Sequence, residues 1–586
     1  MKNKLYIVTI LSMIFTASFA LIIGCSSSSA PDKNGGVLPD GGSSTGGERN
    51  LVCKTGQSSG EVSKPLFWKN LKGQTSWFAS PIITDLDNDG KNELIAAYYS
   101  LYVYDSNAEL LDSTDGGSGR IYAPHVVVDL EGDGVTEIIY GNANEVYVYE
   151  WRDGLKLKDG WPVDTTAGGK KPEVRGLAAA DLDGDGLIEI VATTTQTAKT
   201  DSGGAQVFVF SANGKSYQPK GVSYEAWPRY NNRTGIGGDA KRNGAGHQGY
   251  GSFGLNVGIG NIDDDDELEI IATYDNHHIQ AFNHDGEAIN ASSYFKNRKN
   301  EHKGERLTWG QFIRWADPKV EENHYNLHTG EWPHPSNQEW LQWTASPPNI
   351  VDLDGDGKNE VLGIPNIEKN VPYETQSYAL MVLEGDYSED NRSAMRKSGW
   401  EILPRGQKPI EVDGWYPPNG IPAATTVNIQ GDALPEIVVS LNDGFVYAFS
   451  ADAKELWRYN YTHGKSIMYA SEVTVADLNQ DGSPELIFST YGDPNVRDSG
   501  NLVILGADGT LLHDIPLPNP GHNGNGNGAP SAPSIGDLNG DGSLEIFVQT
   551  FDHGMDIFTV PNSADNCVLW ESARGGALRM GQPNGN

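Results

Sequence analysis

Asp352–Glu360 reads DLDGDGKNE, four carboxylates and two glycines packed into nine residues. The residues that follow, VLGIP (361–365), are too short and too rich in Gly and Pro to open an amphipathic helix. A tight acidic turn running into an extended apolar segment is the simplest local reading. The same pattern recurs along the chain: DLDNDGKNE from Asp85, DLEGDGVTE from Asp129, DLDGDGLIE from Asp181 and NIDDDDELE from Asn261 precede it. NIQGDALPE from Asn428, DLNQDGSPE from Asp477 and DLNGDGSLE from Asp537 follow it, making eight copies. Self-similarity at this spacing means a repeat architecture.

The flanks repeat as well. A short apolar run precedes each turn (SPIIT, PHVVV, RGLAAA, SEVTVA) and a β-branched run follows it (LIAAYY, IVATTT, IVVSL, LIFSTY). After a Gly/Asn/Asp turn comes a third run (LYVYD, VYVYE, QVFVF, FVYAF), then a second turn and often a Trp-bearing fourth run such as KELWRYN or CVLWES. Short runs with regular turn signals are antiparallel strands. Four strands per unit, eight times over, predict an all-β chain folded as a single β-propeller of eight four-stranded blades, with seven as the alternative count. The segment from Pro65, PLFWKNLKGQTSWFASPIITDL, aligns with ELWRYNYTHGKSIMYASEVTVADL further on. A fourth-type strand therefore precedes the first blade and CVLWES supplies another after the last, so one of them is expected to close a blade shared by both chain ends. The 70 glycines and 31 prolines suit such a turn-rich chain.

On these residues the chain resembles the FG-GAP/VCBS repeat family, also seen in integrin α-subunit propellers, over roughly residues 60–575. The resemblance implies a calcium-binding propeller whose metal loops join the first two strands of each blade. Strand-and-Trp pieces such as GFVYAFSADAKELWRYNY also resemble PQQ-type propeller repeats, but no vicinal cysteine pair is present to contact a quinone. The chemistry of the nine residues agrees with calcium, which takes six to eight oxygens in tolerant geometry. Acidic side chains at positions one, three and five converge when the chain curls, glycine at six permits the curl, and Glu at nine closes the cage. An EF-hand needs its bidentate Glu at position twelve and helices on both sides, so that reading fails. A metal-free Asx turn is the competing reading, but crowded carboxylates repel and a cation relieves them.

The expected ligands are Asp85, Asp87, Asp89 and Glu93; Asp129, Glu131, Asp133 and Glu137; Asp181, Asp183, Asp185 and Glu189; and Asp352, Asp354, Asp356 and Glu360. To these add Asp477, Asn479, Asp481 and Glu485, and Asp537, Asn539, Asp541 and Glu545, where Asn lowers the charge. Asp263, Asp265 and Glu269 form a copy that lacks the glycine, and either an occupied or an empty loop is open there. The copy from Asn428, with Gln430 and Ala433 at critical places, reads as an empty structural turn.

The chain opens MKNKLYIVTILSMIFTASFALIIGCSSSSA, with two lysines, an uncharged apolar core and Leu21-Ile22-Ile23-Gly24-Cys25. This resembles the signal and lipobox of bacterial lipoproteins and implies residues 1–24 as a removed signal peptide, lipidation at Cys25, and an outer-membrane or cell-surface location. An uncleaved membrane helix is the alternative. Residues 25–50, rich in Ser and Gly, read as a flexible tether, leaving 51–586 for the propeller. Cys53 and Cys567 stand at opposite ends of the folded part, either as a disulfide or as two separate thiols. The net charge of −35 argues against nucleic acid as a partner.

Two insertions, 213–258 and 284–345, interrupt the regular spacing. The second holds Trp309, Trp315, Trp332, Trp340 and Trp343, which suit a carbohydrate platform if exposed or loop packing if not. Two functions are open: a calcium-stabilised, lipid-anchored binding or adhesion module for a glycan or protein ligand, and a polysaccharide lyase acting on a uronate polymer. The lyase resembles enzymes that use calcium-containing propellers, and would draw on His247, Tyr250, Arg314, His324 and His328, which no catalytic motif fixes. His324 and His328 lack helix support and there is no HExxH, so zinc is not expected.

Overall fold

The structure is a computed structural model. It describes residues 52–582 except 59, 74–78, 116–118, 167–170, 196–206, 219–256, 274–278, 287–288, 290–308, 310–339, 343–346, 369–379, 388–394, 411–422, 465–468, 493–499, 519–526, 552 and 565–566. The expected signal, tether and Cys25 therefore lie outside the described residues.

Eight antiparallel sheets are arranged in chain order as blades, settling the count at eight rather than seven. Blade 1 consists of Ile82–Thr84, Glu93–Ala97, Leu101–Tyr104 and Leu110–Ser113, hydrogen-bonded in that order from the centre outward. The later blades begin at Val126, Val174, Val257, Asn349, Thr425, Thr474 and Ser534. Among the described residues blades 3, 4 and 5 show three full strands each; the fourth position is marked in blades 3 and 5 by single bridges, Phe210 to Ser216 and Leu383 to Arg396, and in blade 4 by the Ile289 N–H donating to the Ala281 carbonyl. Second strands such as Glu93–Ala97 are buried along their whole length, whereas outer strands such as Glu455–Asn460 are largely exposed.

That gradient follows from face-to-face packing of neighbouring blades. Successive side chains of a strand point to opposite faces. Ile139 of blade 2 joins Leu177, Ile190 and Phe208 of blade 3, while its neighbour Ile138 joins Ile95 and Val103 of blade 1. Each fully buried aliphatic side chain contributes about 1.5–3 kcal/mol, so the core is a ring of inter-blade layers. Tryptophans of outer strands latch the layers together: Trp161, Trp400 and Trp457 each donate from Nε1 to a carbonyl in the next blade, Ala212, Ala451 and Ala507, at 2.9 Å.

The chain ends close the ring in two different ways. Leu66–Leu71 pairs with Met555–Thr559 as the outer strand of blade 8, and Cys53 is disulfide-bonded to Cys567 with their Cα atoms 5.7 Å apart. The CVLWES segment is not an outer strand. Val568–Trp570 pairs with Thr474–Ala476, the first strand of blade 7, on its inner edge. Trp570 is fully buried there and donates to Glu472 Oε1 at 3.1 Å.

From Trp570 the chain fills the axial channel, which the sequence reading did not anticipate. Backbone N–H groups of Ile535, Ala179, Ile259 and Ile350, from blades 8, 3, 4 and 5, donate to the carbonyls of Glu571, Leu578, Met580 and Gly581. Arg574 donates to Asn349 Oδ1 at 2.6 Å and to the Val257 carbonyl at 2.9 Å, and Arg579 Nε to the His125 carbonyl at 2.9 Å. Both arginines are completely buried. Gly575 makes the turn possible: its φ is +88°, and a Cβ there would lie 1.8 Å from the Gln582 carbonyl oxygen.

Candidate metal centres on one face of the ring

Each DxDxDGxxE copy joins the first and second strands of its blade, so rotation about the ring axis brings all eight to one face. Neighbouring loops touch. Ile188 N–H donates to the Leu130 carbonyl and Leu268 N–H to the Leu182 carbonyl, both at 3.0 Å. Asn359 Nδ2 reaches the Asn261 carbonyl at 2.8 Å, and Asn92 Nδ2 the Asp537 carbonyl at 2.7 Å.

The loops share an internal frame. In all eight the N–H at position two donates to the Glu at position nine, at 2.9 Å for Leu86–Glu93 and 3.1 Å for Leu182–Glu189. In the copies with glycine at position six, the first Asp accepts that glycine's N–H, as in Gly90 to Asp85 at 2.8 Å and Gly186 to Asp181 at 2.9 Å. These glycines have φ near +85°, for example 86° at Gly90 and 89° at Gly186. The copies with Asp266 and Ala433 at position six turn differently: Asn261 and Asn428 donate their side-chain amides to the carbonyls of Asp265 and Asp432.

Two oxygens on one calcium lie no more than about 5 Å apart, given bonds of 2.3–2.6 Å. Among the described residues, oxygens of three carboxylates come within 4.8 Å of one another in four loops: Asp85/Asp87/Glu93, Asp181/Asp183/Glu189, Asp263/Asp265/Glu269 and Asp352/Asp354/Asp356. These sets fit a hard cation. Blade 3 gives the clearest fit, because Asp183 Oδ1 is buried without a hydrogen-bond partner while its Oδ2 accepts from Tyr217 Oη at 2.9 Å. Burial, reinforced by the loop aspartates, pushes Glu93 up to about 7, Glu189 to about 8 and Glu269 to about 9.

Blade 5 and the four remaining loops have further partners. In blade 2, Lys158 Nζ lies 2.5 Å from Glu131, 2.8 Å from Glu137 and 3.1 Å from Glu150. In blade 5, Lys397 Nζ lies 2.7 Å from both Asp354 and Glu360. In blade 6, Gln430 Nε2 donates to Glu436 at 3.2 Å. In blade 7, Asn479 Nδ2 donates to Asp481 at 3.1 Å, and in blade 8 Thr559 Oγ1 donates to Glu545 at 3.0 Å.

Of the aromatic candidates, Trp309 is fully buried and offers no ring face to a ligand. Trp340 lies in a strand, Trp340–Gln342, that pairs with Asn366–Glu368. The latter follows the second strand of blade 5, placing this ribbon at the end of the ring opposite the acidic loops. Trp315, Trp332, Trp343, His247, Tyr250, Arg314, His324 and His328 lie outside the described residues.

No curated protein matches the chain. Among solved structures, it is similar to the biofilm matrix protein Bap1 of V. cholerae at 13% identity, covering 90% of this chain and 94% of that one, TM-score 0.36. BamB from Moraxella catarrhalis is 9% identical over 85% of this chain and 100% of its own, TM-score 0.42. Sqt1 of Saccharomyces cerevisiae is 11% identical over 85% and 99%, TM-score 0.45. Residues 129–192 match the FG-GAP-like repeat family. That span runs from the acidic loop of blade 2 into the second strand of blade 3, and its loop pattern recurs around the ring: the chain is an eight-bladed β-propeller with an FG-GAP-like repeat at residues 129–192.

Proposed function

We propose that the chain is an exported, lipid-anchored binding module, a propeller stiffened by calcium on one face that presents its other face to a glycan or protein ligand. The observation that carries this reading is the division of labour within the ring. The axial channel is filled by residues 571–582 of the chain itself. The acidic-loop face is tied together by loop-to-loop hydrogen bonds. What is left for recognition is the opposite end, where the Trp340 ribbon adjoins the hairpin of blade 5. Calcium in the loops of blades 1, 3 and 4 neutralises carboxylates whose burial otherwise favours protonation, and so acts as a staple between the strands and blades that the loops join. The chemistry it supplies is charge neutralisation. The motif at Cys25 supports a lipid anchor, and residues 25–50 supply the reach to hold the ring away from a membrane.

The test is capture on a panel of polysaccharides and surface proteins, in calcium, by the intact chain and by a variant lacking 310–342, which removes the Trp340 strand and keeps the buried Trp309. Ligand capture by the intact chain, lost in the deletion variant while its melting temperature is preserved, is the expected result. Capture undiminished by the deletion contradicts the assignment of the binding face, and product release from a uronate polymer contradicts a purely binding role.

A further inference from the structure

In blades 2, 3 and 5 one position of the outer strand faces the acidic loop across the sheet. It is the residue whose N–H donates to the carbonyl of the third-strand residue that pairs with the second strand two positions after the loop glutamate, at Ile139, Val191 and Leu362. In blade 2 it is Lys158, bonded to Val148 at 2.9 Å; in blade 3 it is Tyr217, bonded to Val209 at 2.8 Å; in blade 5 it is Lys397, bonded to Val382 at 3.0 Å. All three side chains run to position three of their own loop, Lys158 to Glu131, Tyr217 to Asp183 and Lys397 to Asp354. The two lysines also reach the glutamate at position nine, Glu137 and Glu360, which closes the cage in the other blades.

We infer that Lys158 and Lys397 are built-in cations, their ammonium groups standing where blades 1 and 3 take calcium, and that the residue at this outer-strand position determines whether a loop binds metal. The geometry supports the exchange. Lys158 and Glu137 have side chains 9% and 1% exposed, and Lys397 and Glu360 8% and 3%, so each pair is shut away from water as a bound ion would be. An ammonium donates three hydrogen bonds and accepts none; Lys158 spends all three on Glu131, Glu137 and Glu150. Blade 2 accordingly shows no approach of three carboxylates within 4.8 Å among the described residues. Blade 5 keeps Asp352, Asp354 and Asp356 close, but Glu360, needed to complete the cage, is held by Lys397. A tyrosine at the same place only donates one bond and leaves the carboxylate charges uncompensated. Both lysines stand in the same short sequence, Lys-x-Gly-Trp, at 158–161 and 397–400, and in both the tryptophan latches the next blade.

The inference rests on the reading that the loops of blades 1 and 3 bind calcium, and the two can fail separately. Calcium bound per chain is measured at saturation by equilibrium dialysis with metal analysis, for the wild type and for K158M, K397M and Y217K. Each Lys→Met variant is expected to bind one calcium more than wild type, and Y217K one fewer. Where a variant does not fold, anomalous diffraction from wild-type crystals grown in calcium decides: density in the loops of blades 1 and 3 and none in blade 2 or at Glu360 supports the inference. Density beside Glu137, or unchanged counts in all three variants, overturns it while leaving calcium elsewhere intact. No calcium in wild type or in the Lys→Met variants overturns both readings.

Discussion

The loops of blades 2 and 3 are built on one frame. DLEGDGVTE and DLDGDGLIE differ at position three by one methylene, and both glutamates at position nine accept the position-two N–H, at 2.9 and 3.1 Å. Their electrostatics diverge. Burial raises both glutamates, but Lys158 pulls Glu137 back toward its ionised form, whereas Glu189, with Asp183, Asp185 and Asp181 around it, is pushed up to about 8. The difference lies outside the motif, in an outer-strand residue 21 positions after Glu137. A loop motif specifies where charge is gathered; the facing strand decides what neutralises it.

The largest effect expected from disturbing this comparison is in blade 2. Replacing Lys158 by Met leaves Glu137 buried without its counter-charge, which costs about 3–5 kcal/mol when one partner of a buried ion pair is removed. Denaturant unfolding in chelator should show that loss, and excess calcium should restore most of it. A loss that calcium leaves untouched would separate the lysine from any metal-like role.

In blade 3 the dependence runs the other way. With calcium at about a hundredfold above its dissociation constant, a site confers about 2.7 kcal/mol. Asp183→Asn should therefore lower stability by about that much in calcium and by little in chelator, read from the same unfolding curves. Equal losses in both conditions would mean that Asp183 acts only through Tyr217.

The pH dependence of the chelated protein gives a third distinction. Glu93, Glu189 and Glu269 have folded-state values of about 7, 8 and 9 against an ordinary 4.5, so the folded chain holds more protons than the unfolded one between these limits. The stabilisation is complete below the ordinary carboxylate value and is lost as pH rises through 7 to 9. Chelated protein should therefore weaken from pH 5 to pH 9, and calcium should flatten the profile. A flat profile without calcium would contradict the burial argument.

The smallest effect concerns the seam between the two blades. Trp161→Phe keeps the ring but removes the Nε1 bond to the Ala212 carbonyl. A loss of about 1 kcal/mol is expected, the same in calcium and in chelator, because the latch does not touch either loop's carboxylates.

Much of this arrangement was legible in the sequence because it is periodic. Eight turns at matching distances from β-branched runs fix the blades, and a bridge between cysteines 514 residues apart was one of the two readings open in the sequence. The features that escaped are those without local pattern. Lys158 lies 27 residues from Glu131 and meets it only because the outer strand folds back; the repeated Lys-x-Gly-Trp was the available signal. VLW read as an outer strand by composition, but its pairing with Thr474–Ala476 and the bond from Trp570 to Glu472 place it at the axis. The arginines of the channel, Arg574 and Arg579, look like surface residues in sequence and find their acceptors only on four separate blades.

The central claim is that calcium stiffens this ring. Its most direct test is thermal unfolding of the intact chain in calcium, after chelation, and after calcium or magnesium is returned. The account predicts a fall of several degrees on chelation, reversed by calcium and poorly by magnesium, whose smaller octahedral shell suits these loops badly. An unchanged melting temperature, with no calcium carried through purification, would contradict it.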